Sequence, residues 1–246
     1  MNELMKKSLA QIVNNDHRAA SVFEKYDLDF CCKGKRSLQQ ACDEKQLPVT
    51  EIATELKNLS VKNDKDAVLD FENMDLGALV DYIVQTHHAY VKKELPLIFS
   101  YLEKVTAKHS IHHPELIKIF QLFAAIKEEM EGHMKKEEVI LFPRIKELEK
   151  HVKGEPERFG VNITYLQSPI TVMEQEHDHA GNLLYEIRTL SNNYTSPGDA
   201  CTTYRLSFAA LQAFELDLHQ HVHLENNILF LKTITAFREL KETALN

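Results

Sequence analysis

The sequence predicts an all-α protein: a small amino-terminal helical domain followed by an up-down-up-down four-helix bundle. Three observations predict it. Gly and Pro number only seven each in 246 residues and Trp is absent, so helix breakers are scarce. Beyond residue 74, apolar residues recur in steps of three and four along four long stretches. The connections between those stretches are modest, which favours antiparallel neighbours.

In the amino-terminal domain, residues 1–60, Leu9, Ile12 and Val13 mark a first short helix, and Arg18 to Tyr26 a second. Ser37 can cap a third that runs to about Gln46. Pro48 and Thr50 open a fourth, ending near Leu59. Residues 61–73, containing Val61-Lys62-Asn63-Asp64-Lys65-Asp66, are polar and poorly periodic and read as a linker. The bundle occupies 74–246. Its helices are expected from about Asp75 to Lys108, from near Pro114 to Lys150, from Ser168 or Pro169 to Leu190, and from after Asp199 to near Leu240. Gly154, Pro156 and Gly160 fall in one connection, and Asn192 to Asp199 in another.

Composition excludes several functions. A formal net charge of −8 opposes nucleic-acid binding, because it leaves phosphate repulsion unanswered. No stretch reaches the roughly 20 apolar residues of a membrane span. The first 15 residues are amphipathic, unlike a signal peptide. Cys31 and Cys32 are adjacent, a poor disulfide geometry. A reducing, cytoplasmic setting is the simpler expectation, and a homodimer is compatible with it.

The apolar seam carries the chemistry. Helix one gives Val80, Val84, His88, Val91, Leu95, Ile98 and Leu102. Helix two gives Phe123, Ile126, Met130, His133, Glu137 and Ile140. Helix three gives Ile170, Met173, His177, Ala180, Leu184 and Ile187, and helix four gives Phe214, Leu218, His221, Glu225 and Ile228. Each helix thus replaces one apolar seam residue with His, and two continue with Glu one turn later. Burying two carboxylates and four imidazoles at one level would strongly destabilise a bundle. A pair of cations converts that cost into binding energy. Four imidazoles and two carboxylates suit iron, with zinc or manganese as substitutes. If Glu137 and Glu225 both bridge, each cation receives two nitrogens and two oxygens, and open positions remain for small ligands.

The other histidines fail the seam test. His87 points about 100° from His88. His179, His219 and His223 face away from the seam, on the surface or in a supporting layer. His109, His112, His113 and His151 lie near helix ends and are expected in solvent. Glu129, one turn before His133, and Glu176, beside His177, are candidates to line a path for iron or protons. Lys33, Lys35 and Arg36 flank Cys31 and Cys32, and nearby cations favour reactive thiolate. The alternative for this pair is a packed turn of two small apolar residues. Cys42 and Cys201 read as structural.

The chain resembles the RIC family (repair of iron centres; YtfE/ScdA) of di-iron proteins that repair iron–sulfur clusters. The motifs are Tyr26-Asp27-Leu28-Asp29-Phe30-Cys31-Cys32-Lys33-Gly34-Lys35, His133-Met134-Lys135-Lys136-Glu137-Glu138, Val172-Met173-Glu174-Gln175-Glu176-His177-Asp178 and Leu224-Glu225-Asn226-Asn227-Ile228-Leu229-Phe230. The resemblance implies a haemerythrin-like bundle holding two iron ions, with His88, His133, His177 and His221 as terminal ligands and Glu137 and Glu225 as bridges. It implies repair of clusters damaged by nitrosative or oxidative stress, with damaged iron–sulfur proteins as partners. Gly181 stands where oxygen carriers of the class have a further His, which favours reactivity over oxygen carriage. Lys33 and Lys232 depart from the family pattern, away from the ligands. Iron donation is the leading mechanism. Nitric oxide reduction to nitrous oxide at the di-iron centre, or sensing of NO or O2, are the alternatives.

Overall fold

The computed structural model describes residues 2–61, 69–154 and 162–245. Most of the expected linker, and Pro156 and Gly160, lie outside the described residues. Among the described residues the regular elements are helical, joined by one isolated antiparallel bridge between Ser8 and Ser37. No helix among them is long and apolar enough to cross a membrane. The chain divides into two compact units.

The first unit combines Met1–Asp75 with His219–Lys232. Its helices are α1 (Asn2–Lys6), α2 (Leu9–Asn15), α3 (Ala19–Lys25), α4 (Leu38–Lys45) and α5 (Val49–Val61). The sequence reading missed α1, which buries no residue and so carries no apolar periodicity. Helices α2 and α4 both begin with a capping box: Ser8 with Gln11, and Ser37 with Gln40. These caps and the Ser8–Ser37 bridge fix the two helix starts side by side. Phe23, Leu38 and Ile52 fill the core without exposure. Gly34 is sterically required, since a Cβ there would sit 2.2 Å from the Phe30 carbonyl oxygen. That contact lets the loop carrying Cys31 and Cys32 fold tightly back toward α2.

The second unit combines Leu76–Leu218 with Thr233–Asn246 and holds four helical rods. Rod one is α6 (Leu76–Ile83), a π-helical turn (Val84–His88) and α7 (Ala89–His109). Rod two is α8 (Glu115–Lys136), a π turn (Glu137–Leu141) and α9 (Phe142–Val152). Rod three is α10 (Thr164–Leu190). Rod four is α11 (Thr202–Leu224), a π turn (Glu225–Leu229) and α12 (Phe230–Leu245), with residues 219–232 grouped in the first unit. Helix α8 packs on both α7 and α10. Phe214 meets Phe123 edge-on, with ring centroids 5.7 Å apart. Glu215 lies against Tyr194 and Arg188, so rod four is tied to rod three by a buried ion pair.

Two sequence expectations require correction. Helix three does not start at Ser168: α10 begins at Thr164, and Pro169 lies inside it. Proline lacks the N–H that would serve the Tyr165 carbonyl. Arg144 donates to that oxygen at 2.7 Å and stacks on the Tyr165 ring, so the helix tolerates the proline. Secondly, Ile140 is not a seam residue. It is 41% exposed, and Leu141 is buried in its place. The π turn inserts one extra residue, which advances the buried face by one position. Val84 likewise is only half-buried while Ile83 is fully buried.

Candidate metal centre

In the second unit, His88 and Glu137 have no exposed surface, and His133 and His177 about none. The Nε2 atoms of His88 and His133 lie 3.3 and 3.2 Å from the same Glu137 oxygen, Oε2. His177 Nε2 lies 3.0 Å from His133 Nε2. His133, Glu137 and His177 each offer a ligand atom within 4.8 Å of the others. The His88 ring stacks on Phe142, with centroids 5.6 Å apart.

The outer nitrogens decide what the inner ones can do. His88 Nδ1 lies 2.7 Å from Glu138, which Lys92 also contacts at 2.6 Å. His133 Nδ1 lies 2.9 Å from Glu176, which also pairs with Lys136. A carboxylate only accepts, so each Nδ1 carries a proton, and in the neutral imidazole each Nε2 then presents a lone pair. Burial raises the Glu138 and Glu176 carboxyls, but hydrogen bonds from Lys92 and His88, and from Lys136 and His133, outweigh it and hold both below the ordinary value. Both are therefore firm acceptors near neutral pH. With both imidazoles neutral, the inner lone pairs face one buried carboxylate oxygen at close range. That repulsive arrangement becomes favourable with a cation among the donors, so the residues fit a metal.

In the first unit, His221 and Glu225 have no exposed surface, and His221 Nε2 lies 3.0 Å from Glu225 Oε1. The local sequence repeats rod two: His, then Glu four residues later, with a π turn beginning at the Glu. The intervening face of this segment holds the amino-terminal residues. His219 pairs with Glu24 at 2.6 Å, and His223 Nε2 meets Asn14 at 2.8 Å. Phe30 packs edge-on against both rings. Asn227 donates to the Cys31 carbonyl at 2.8 Å. Lys232 donates to the carbonyls of Glu72 and Met74.

The remaining predicted residues separate by environment. Glu129 is 40% exposed and pairs with His179 at 3.1 Å. Glu176 turns to His133 and Lys136, as above. His87 is buried and bonded to Asp217, and His109 is half-buried against Cys201 and Tyr204 rather than in solvent. Their partners Asp217, Cys201 and Tyr204 lie far along the chain, which spacing along one helix does not register.

Cys31 corrects the expectation of thiolate. Its hydrogen bond with Cys32, its burial and the Asp29 charge all push the thiol well above its usual range. Of the flanking cations, Arg36 is engaged by Glu44. Asp29 was overlooked, although its place two residues before Cys31 suits a side chain that folds back on the following backbone. Glu138 and Lys92 left no sequence signal, because their partner His88 is 50 positions away from Glu138.

Residues 79–232 match the Hemerythrin HHE cation binding domain, and residues 5–60 match ScdA_N, a domain of unknown function. The chain is 34% identical to the "Iron-sulfur cluster repair protein YtfE" of Enterobacter sp. (strain 638), over 92% of this chain and 96% of that one. The protein of the same name from Escherichia coli O157:H7 gives the same identity and shares. The match thus runs through both the thiol loop and the histidine–glutamate bundle, and the chain belongs to the hemerythrin HHE cation-binding family and to the YtfE iron–sulfur cluster repair family.

Proposed function

We propose that this chain holds two iron ions, with His88, His133, His177 and His221 as terminal ligands and Glu137 and Glu225 as bridges. We further propose that it restores iron–sulfur clusters damaged by nitrosative or oxidative stress, by donating iron to them. The observation that carries the first reading is the inward lone pair of His88 and of His133, each aimed at one buried oxygen of Glu137. The repeated His–Glu spacing with a π turn at each Glu supports adding His221 and Glu225 to the set. The names of the relatives support the repair role.

Each residue has a definable task. Glu138 and Glu176 hold the Nδ1 protons of His88 and His133, which leaves Nε2 as the nitrogen that would ligate. Lys92 and Lys136 keep those carboxylates ionised. Phe142 stacks on the His88 ring and fixes it. Bound iron would supply reversible binding of small ligands and one-electron chemistry. Two nitrogens and two oxygens per ion leave room for exchange, which suits a donor better than a closed structural site.

The test is anaerobic. Iron per chain is measured in the parent and in a Glu137→Leu, Glu225→Leu double variant, and each is then mixed with a cluster protein damaged by NO. About two irons in the parent, few in the variant, and cluster recovery matched by iron lost from the parent support donation. A folded parent that takes up no iron sinks the metal reading. Nitrous oxide release without iron loss replaces donation with nitric oxide reduction.

A further inference from the structure

A second group of donors lies in the first unit. Asp29, Cys31 and Cys32 each offer one ligand atom, all within 4.8 Å of one another. Both cysteines are free thiols. The two sulfurs are 3.8 Å apart. Two thiolates bound at about 2.3 Å to one tetrahedral cation are necessarily about 3.8 Å apart. The Cys31 sulfur is 3.4 Å from Asp29 Oδ1. A thiolate at about 2.3 Å and a carboxylate oxygen at about 2.0 Å on the same cation would be about 3.5 Å apart. Both spacings match two donor–donor edges of such a coordination sphere.

The loop is also held in that shape. Asp29 Oδ1 accepts the backbone N–H of Cys32 at 2.9 Å and of Lys33 at 3.3 Å. Asn227 holds the Cys31 carbonyl, and Gly34 allows the tight return beside Phe30. The ordering cost of assembling three donors is therefore met by the fold. Two thiolates, one carboxylate and a divalent cation sum to one negative charge, which the neighbouring Lys33 and Lys35 favour.

We propose that Cys31, Cys32 and Asp29 form a mononuclear site for a thiophilic divalent cation, separate from the histidine–glutamate residues. Three protein donors leave one tetrahedral position open. Asp29 and Cys32 are only half-buried, so a fourth ligand from solvent or from another molecule can reach the cation. Such a site suits exchange of a cation rather than permanent storage. Binding displaces the two thiol protons. The inference does not depend on what the histidine–glutamate residues hold.

Cobalt(II) tests it, because thiolate ligation adds a near-ultraviolet sulfur-to-cobalt charge-transfer band that nitrogen and oxygen ligands lack. The full chain is titrated with Co2+ without oxygen, its thiols kept reduced by a phosphine. The band should appear in the parent, vanish in Cys32→Ser and in Cys31→Ser, weaken in Asp29→Asn, and persist in a Cys42→Ser, Cys201→Ser control. Circular dichroism certifies helix content in each variant. If Cys31→Ser, at a buried position, loses its fold, Cys32→Ser decides. No band in the parent, or an undiminished band in folded Cys32→Ser, overturns the site and leaves the pair as a packed turn. Iron content, read separately, reports on the histidine–glutamate centre, so the two readings fail independently.

Discussion

The Nδ1 atom of His88 lies 2.7 Å from Oε1 of Glu138, on the side of the ring away from Glu137. His133 repeats the arrangement with Glu176 at 2.9 Å. Each carboxylate is in turn paired with a lysine, Lys92 or Lys136. A fully buried imidazole is therefore aimed by a half-exposed ion pair. The ring's orientation is set at the surface, and its Nε2 is presented in the core beside Glu137.

Removing that aim should cost affinity without dismantling the bundle. Glu138→Ala is expected to weaken metal binding by about 10- to 100-fold. Glu138→Gln retains an oxygen acceptor and should fall between parent and Ala. Lys92→Met, which leaves the His88 contact in place, should have the smallest effect. Competition with a calibrated chelator gives the three affinities. An Ala variant that binds as tightly as the parent would show that packing alone orients His88.

His223 gives a pH dependence with a defined sign. Burial holds its imidazole down to about 4, against 6.5 for an exposed histidine, and the Phe30 carbonyl offsets only part of this. The folded chain keeps His223 neutral where the unfolded chain would protonate it. Between pH 6.5 and 4 the unfolded state binds more protons, so stability falls as pH falls through that window. The loss is of the order of 3 kcal/mol for this one group. Urea unfolding followed at several pH values should show the slope in the metal-free parent and a flatter one in His223→Gln. An equal slope in both would assign the acid sensitivity elsewhere.

How much of this was legible depended on whether a helix kept its period. In α10, which is α-helical throughout, all six expected seam residues, from Ile170 to Ile187, are buried. In rods one and two the π turns shift the register, so Val84 and Ile140 were misplaced although His88, His133 and Glu137 were not. These positions stay on the buried face: one π turn ends at His88, and the others begin at Glu137 and Glu225. Extra residues at such sites re-aim side chains, a use for which π turns are known. The Glu138, Glu176 and Asp217 contacts were not legible, because a charged residue on a helix gives the same pattern whether it meets water or a distant histidine.

Asn227 should control access to the thiol loop. Its amide donates to the Cys31 carbonyl at 2.8 Å from inside the π turn that begins at Glu225. Asn227→Leu leaves a buried carbonyl without this donor, at a cost of roughly 1–3 kcal/mol. If the cost falls on the loop, its open population rises about 5- to 150-fold, and Cys31, now 5% exposed, becomes easier to alkylate. Mass spectrometry can follow labelling of Cys31 against the fully buried Cys42 as an internal reference. An unchanged ratio would show that Phe30 and its ring contacts hold the loop without Asn227.

The buried carboxylates should trade stability against metal binding. Without a cation, Glu137 occupies an apolar site at no exposure, with imidazole lone pairs directed at it. Burying a carboxylate carries a desolvation cost that lone pairs facing it do not offset, so an apolar side chain of similar volume removes that cost. Glu137→Leu is close in volume, so the metal-free variant should unfold at a temperature equal to or above that of the metal-free parent. Adding iron should reverse the order, because only the parent gains stability by binding in the native state. Calorimetry with and without ferrous iron under anaerobic conditions reads both comparisons. A metal-free variant that melts well below the parent would mean that Glu137 is held by its histidines through ordinary hydrogen bonds. The donor set would then be a polar core rather than one shaped around cations.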